Sequence, residues 1–238
     1  MNDNELDQSV RSLRDSGHSL KQIARALGVL PSVVRPLVRT IAAERDATSS
    51  EPELECLISP GWQKGLTVVG YSEWSDEALT GDGAPGLVSV LLARGEHHQK
   101  VSVCGYLLDV YCLGVKNALG PRRMPHEDLP TFSRSFFSGW GSTGLPIPIE
   151  LARELVFGAA EYAQSLGFST HPDFEQARGH LGAWVEPSSI RFGCNGKPSF
   201  TQGPHDNPAA IMHTLEETIG AGNFDFIASL GTERSMNS

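Results

Sequence analysis

The sequence predicts an α+β protein, with a small all-α N-terminal unit followed by a larger mixed α+β domain. Three observations carry that expectation. Residues 20–40, "LKQIARALGVLPSVVRPLVRT", have the apolar rhythm of packed helices, and the small, polar, proline-containing stretch "ATSSEPE" (47–53) soon follows. Charge divides at the same place: residues 11–45 hold seven basic and two acidic side chains, whereas residues 47–238 hold 12 basic and 22 acidic ones. Beyond the divide the order of elements reads β-β-α-α-β-β-α, which argues against a doubly wound parallel sheet. The expected organisation is therefore a helical domain at 1–46, a linker at 47–53 and an acidic domain at 54–238.

Each element has a local reason. "LDQSVRSLRDSG" (6–17) places Val10 and Leu13 on one helical face and ends in Gly17. Ser19 and Gln22 then have the spacing of a capping box, opening "LKQIARALG", which Gly28 closes. A third, longer helix follows. Pro36 lacks an N–H and is tolerated best in a first helical turn, so this helix is expected to begin near residue 33 or 34.

In the larger part, "SDEALTGDGAP" (75–85) reads as an exposed loop. "GLVSVLLAR" (86–94) and "KVSVCGYLLDVYCLG" (100–114) are β-branched and apolar, joined by the turn-like "GEHHQ" with solvent-facing His97 and His98. "PIELARELVFGAAEYAQSLG" (148–167) is a helix with Ile149, Ala152, Val156, Ala159, Ala160 and Ala163 on one face and Glu150, Glu154, Glu161 and Gln164 on the other. "HPDFEQARGHLG" (171–182) predicts a short helix from Pro172. "SIRFGCNGKPSFTQG" (189–203) predicts a hairpin around Asn195-Gly196. A last helix is capped by Asn207, with Pro208 at its first position.

Composition narrows the function. No apolar run approaches the roughly 18 residues of a membrane span, and "MNDNELDQSV" has no signal-peptide character. Cys56, Cys104, Cys112 and Cys194 lie far apart, too few for a disulfide scaffold and badly spaced for structural zinc. A cytoplasmic protein with buried thiols, and with neither cofactor nor metal, is expected. The net charge of −9 leaves the basic stretch as the only place for phosphate contact.

Within that stretch, Ala24 fills the position where two helices touch, with Ile23 and Leu27 facing inward, Gly28 turning the chain and Val34 and Leu37 anchoring the next helix. On these residues, segment 6–46 resembles the bacterial helix-turn-helix superfamily, over about 40 of 238 residues. The resemblance implies that Pro31, Ser32, Val33 and Arg35 face base edges. Ser32 and Arg35 are the hydrogen-bonding readers among them, and Val33 could touch a thymine methyl. Lys21, Arg25 and Arg39 are the candidate phosphate contacts. The alternative is a protein-interaction or dimerisation module that shares the shape.

No reaction announces itself in the larger domain. "GWGSTG" (139–144) spells GxGxxG without the strand and helix a dinucleotide site requires. Asp109, Cys112 and Lys116 are the candidate catalytic residues if Cys112 meets His126, His171 or His180. Strand alternation instead puts Cys112 on an apolar face with Tyr106, Leu108 and Val110, and lets Asp109 pair with Lys116 across a turn. His171, Asp173 and His180 lack compact metal-ligand spacing and read better as a capped helix start. Lys197, Gln202, His205 and Asp206 could line a ligand rim. "YLLDVYCLGVKNA" and "FGCNGKPSFTQGP" resemble segments of uncharacterised bacterial proteins, which implies no activity.

The resulting expectation is a DNA-binding transcription regulator whose acidic domain binds a ligand or forms a homodimer. The alternatives are a module that docks a protein partner and an enzyme centred on Cys112.

Overall fold

The structure, a computed structural model, describes residues 3–16, 18–47, 51–74, 85–96 and 99–228. Gly17, residues 48–50 of the expected linker, most of the expected loop at 75–85 and the His97-His98 pair lie outside them, as does the side chain of Arg39 within its helix.

Three helices open the chain: α1 (Asp3–Asp15), α2 (Leu20–Leu27) and α3 (Pro31–Ala47). Val10 of α1, Leu20, Ile23 and Ala24 of α2 and Val34, Val38 and Ile41 of α3 bury against one another. Pro36 does not delay α3. The helix starts at Pro31, whose fixed φ suits a first helical position, and the Val33 amide closes the opening turn on the Leu30 carbonyl at 2.9 Å. Pro36 stands inside the helix on its exposed side, where water can reach the Ser32 carbonyl left without its usual donor.

The remainder is mixed α+β, as expected. β1 (Glu53–Ile58), β3 (Leu87–Arg94), β4 (Lys100–Asp109), β5 (Gly114–Pro125) and β6 (Leu145–Pro146) form an antiparallel sheet of order β5-β4-β3-β1-β6. Both of its faces are covered. Val88, Val90, Leu92, Cys104, Tyr106 and Leu108 pack against α5 (Ile149–Ser165) and the short α6 (Phe174–Ala177). Leu91, Ala93, Val101, Val103 and Met124 face Leu129 and Phe137 around α4 (Leu129–Phe136). Two-sided burial explains why "LVSVLLAR" is apolar at nearly every position rather than at alternate ones. Gly105 of β4 is where Phe136 approaches, because a Cβ there would lie 2.6 Å from its ring.

Several expectations shift. β4 ends at Asp109, four residues pack into a turn, and "GVKNALGPRRMP" is a strand in its own right. α6 begins at Phe174, two residues after Pro172. Asn195 and Gly196 do turn with φ of 54° and 84°, and Cys194 bridges Lys197. The flanking strands nevertheless part: β7 (Ile190–Arg191) pairs with β2 (Thr67–Val68), and β8 (Ser199–Thr201) runs parallel to β9 (Asp225–Ile227). α7 (Pro208–Ile219) makes the crossover between β8 and β9, starting where Asn207 accepts the Ala210 amide at 3.2 Å. Among the described residues, no helix is long and apolar enough to cross a membrane.

Candidate functional site

The approach to α3 is fixed by local chemistry. Ser19 Oγ accepts the Gln22 amide at 3.3 Å while Gln22 Oε1 accepts the Ser19 amide at 2.9 Å, the expected reciprocal cap. Gly28 sits at φ 66°, ψ 28°, and the next amide, Val29, reaches back to the Ala24 carbonyl at 3.0 Å. Leu27 and Leu37, expected in the core, are only partly buried, and Val38 takes the anchoring place instead.

The start of α3 projects Pro31, Ser32 and Val33 into solvent. Arg25 is exposed as well. Arg35 is half-buried and its Nε has no hydrogen-bond partner, so it is less free than a base reader should be. Lys21 is exposed, and its charge acts on Glu161 of α5, which places it beside the acidic body.

The helices rest on one strip of the larger part. Arg14 donates from Nη2 to the Trp184 carbonyl at 2.8 Å and from Nη1 to the His18 carbonyl at 3.1 Å. Val185, 4% exposed, joins the core of α1–α3, and Ala183 packs against it. The strip 183–185 follows the turn after α6 and crosses α5.

That same strip walls a cavity of 470 Å3. Tyr71 and Trp74 stack at 4.0 Å between ring centroids and 6° between planes on one side. Trp184, itself stacked on Phe157, forms another. Among the described residues, the carboxylates of Glu73, Glu150 and Glu154 line it as well, together with Arg153. Glu154 belongs to the polar face of its helix, opposite Ile149, Ala152 and Val156. It is buried because residues 182–189 lie across that face, and its Oε2 accepts the Ser189 amide. Arg153 is buried too, donating from Nε to the Leu181 carbonyl at 2.7 Å, and burial lowers its pKa to about 10. Its Nη1 lies 4.0 Å from Glu150 Oε1. Sequence reading missed this cavity, since its walls come from segments near 71–74, 148–154 and 183–185.

The residues around Cys112 form a structural turn. Asp109 Oδ1 accepts the amides of Tyr111 and Cys112, both at 3.0 Å, and so caps the connection from β4 to β5. Burial raises the Asp109 pKa to about 6, against the lowering pull of those amides. Cys112 is fully buried among Leu166, Phe200 and Leu215, a different cluster from that of Tyr106, Leu108 and Val110. Burial first, then the Asp109 charge, pushes its thiol well above the usual range. A thiol so hard to ionise is a packing group. Lys116 does not pair with Asp109 but with Asp206, at 2.7 and 2.9 Å to the two carboxylate oxygens.

The expected ligand rim is held in internal contacts. Asp206 also accepts the Gly203 amide at 2.8 Å, and Lys197 pairs with Asp225 at 2.5 Å. The Gln202 amide donates to the Ile227 carbonyl at 2.9 Å, and His205 is exposed. None of the four lines the aromatic cavity. His171 accepts the Asp173 amide at 3.3 Å, while His180 faces the Ser102 carbonyl and burial lowers its pKa. His126 opens the turn before α4. Among the described residues, His, Cys, Asp and Glu nowhere gather in threes fit for a metal ion. The glycines of "GWGSTG" lead into β6, not into a helix.

No known protein family, curated protein or solved structure matches the chain.

Proposed function

We propose that the chain is a DNA-binding transcription regulator, with a helix-turn-helix at residues 6–46 and an acidic α+β domain that takes an effector or a second subunit. The observation that carries this reading is the start of α3. Gly28 turns the chain in the left-handed region, Pro31 begins the helix, and Ser32 and Val33 stand exposed at its first turn. That arrangement suits insertion of a helix N-terminus into a major groove. Exposed Arg25 and Lys21, together with Arg39, would make the phosphate contacts. The local excess of basic over acidic residues at 11–45 supplies the attraction that the rest of the chain opposes.

Gel-shift titration against fragmented genomic DNA tests it. Binding is expected at low salt, and Arg25→Ala should lower the salt dependence by about one released counterion. Absence of binding even at low salt, or indifference to both Arg25→Ala and Arg39→Ala, would sink the reading.

One observation favours a second reading, a module that docks a protein. Leu30 is 70% exposed and Val33 44%, beside exposed Pro31 and Pro36, so much of the presented surface is apolar. Purification with a stoichiometric protein partner and no nucleic acid would favour it.

A further inference from the structure

We infer that the 470 Å3 cavity beneath the N-terminal helices is a binding site for a flat, lipophilic aromatic cation, the effector of the proposed regulator. Its volume falls in the range of small-molecule sites, and its walls combine apolar aromatic area with a few charged groups, as such sites do.

The class of ligand follows from the walls. The Tyr71 and Trp74 rings stack nearly parallel, at 6°, and the Trp184 indole adds a further flat aromatic wall. Such walls suit a planar ring system, and their π faces attract positive charge. Glu73 and Glu150 are exposed at the edge of the cavity, and Glu154 is buried in its lining. Arg153 is the one cation among the described lining residues. It is tethered to the Leu181 carbonyl and leans towards Glu150, and the described lining holds three carboxylates to this one guanidinium. A cationic ring system is attracted to a lining with this excess of carboxylates, whereas an anionic one is repelled by it.

The site also lies where an effector should act. Ala183 and Val185 line the cavity and belong to the packing of α1–α3, and the carbonyl of Trp184 between them receives Arg14. An occupant pressing on Trp184 therefore touches the seat of the helices directly. This consequence rests on the regulator reading. Occupancy of the cavity does not.

The test is titration of the full chain, without DNA, with pyronin Y, a three-ring cation, and with fluorescein as the anionic ring-system control. Pyronin Y should bind saturably, shift the indole N–H resonances of Trp74 and Trp184, and leave that of Trp140, which donates to Ser89, in place. Fluorescein should bind at least about tenfold more weakly, and the exposed double change Glu73→Gln/Glu150→Gln should weaken pyronin Y about tenfold. Amide exchange in α1–α3 should slow on binding.

Lack of saturable binding, equal binding of the two dyes, or indifference to the double change would overturn the site. Saturable binding with unchanged exchange in α1–α3 would overturn the effector role. Gel-shift failure alone would strike the DNA reading and leave the cavity standing, so the two ideas fail separately.

Discussion

Arg14 and Trp184 meet across 170 positions of sequence, the guanidinium of α1 donating to the main-chain carbonyl at 2.8 Å. The contact joins the basic helices to the acidic body through a backbone atom, so it does not depend on the Trp184 side chain. A cation donating to a half-buried carbonyl is among the stronger single hydrogen bonds.

Arg14→Met keeps the aliphatic stem and removes the donors to both Trp184 and His18. It should cost about 2 kcal/mol. Hydrogen exchange locates that cost: amides of α1–α3 should open faster while those of α5 hold their protection. Uniform loss of protection across both would show that the contact does not seat the helices.

Gly28→Ala tests the turn between α2 and α3. An added Cβ at Gly28 meets nothing within 4 Å, so crowding contributes no cost. The penalty is the left-handed backbone alone, about 1 kcal/mol, and Gly28→Asn should cost less because Asn tolerates that region. Urea unfolding of the two variants gives the comparison. Equal stability of Gly28→Ala and the parent would mean the turn relaxes out of φ 66°.

What could be read in the sequence was local. Ser19 with Gln22, Gly28, and Asn207 with Pro208 mark helix ends through contacts a few residues long, and the structure keeps them. Asn195-Gly196 fixed a turn correctly, but strand partners lie outside its reach, and β7 and β8 went to β2 and β9. "GVKNALGPRRMP" hid β5 because its two glycines, lysine, asparagine and two prolines weaken the strand signal at a sheet edge. Pro36 misled because its effect depends on which side of α3 it occupies. The cavity was invisible for a stronger reason: Trp74 and Trp184 stand 110 positions apart, and neither has a periodic partner.

The four cysteines should separate by reagent access. Cys56, Cys104 and Cys112 are buried, and burial raises each thiol pKa, that of Cys104 to about 12. Cys194 alone is half-buried. Since the thiolate is the reacting form, a disulfide reagent should label Cys194 first in native protein and the other three only as the chain opens. Rapid native labelling of Cys112 would revive the cysteine-centred enzyme.

Asp109 gives the pH dependence a sign. Its carboxyl titrates at about 6 in the folded chain against an ordinary 3.8, because burial outweighs the amides that favour the charge. The folded state therefore holds this proton more tightly than the unfolded one. Its contribution to stability is complete below about pH 4 and is lost as pH rises through about 6. The full change is about 3 kcal/mol by neutral pH. Asp109→Asn retains an oxygen for the Tyr111 and Cys112 amides and carries no charge. It should flatten the slope between about pH 4 and 6 and match or exceed the parent at neutral pH. Asp109→Ala leaves both amides without their acceptor and should be destabilised throughout, by about 1–3 kcal/mol for each. Glu53, Glu55 and Glu161 are also raised by burial, so the difference between parent and Asp109→Asn carries the result, not either curve alone. Parallel curves for the two proteins would mean that Asp109 is ionised in both states, and that burial costs its charge nothing.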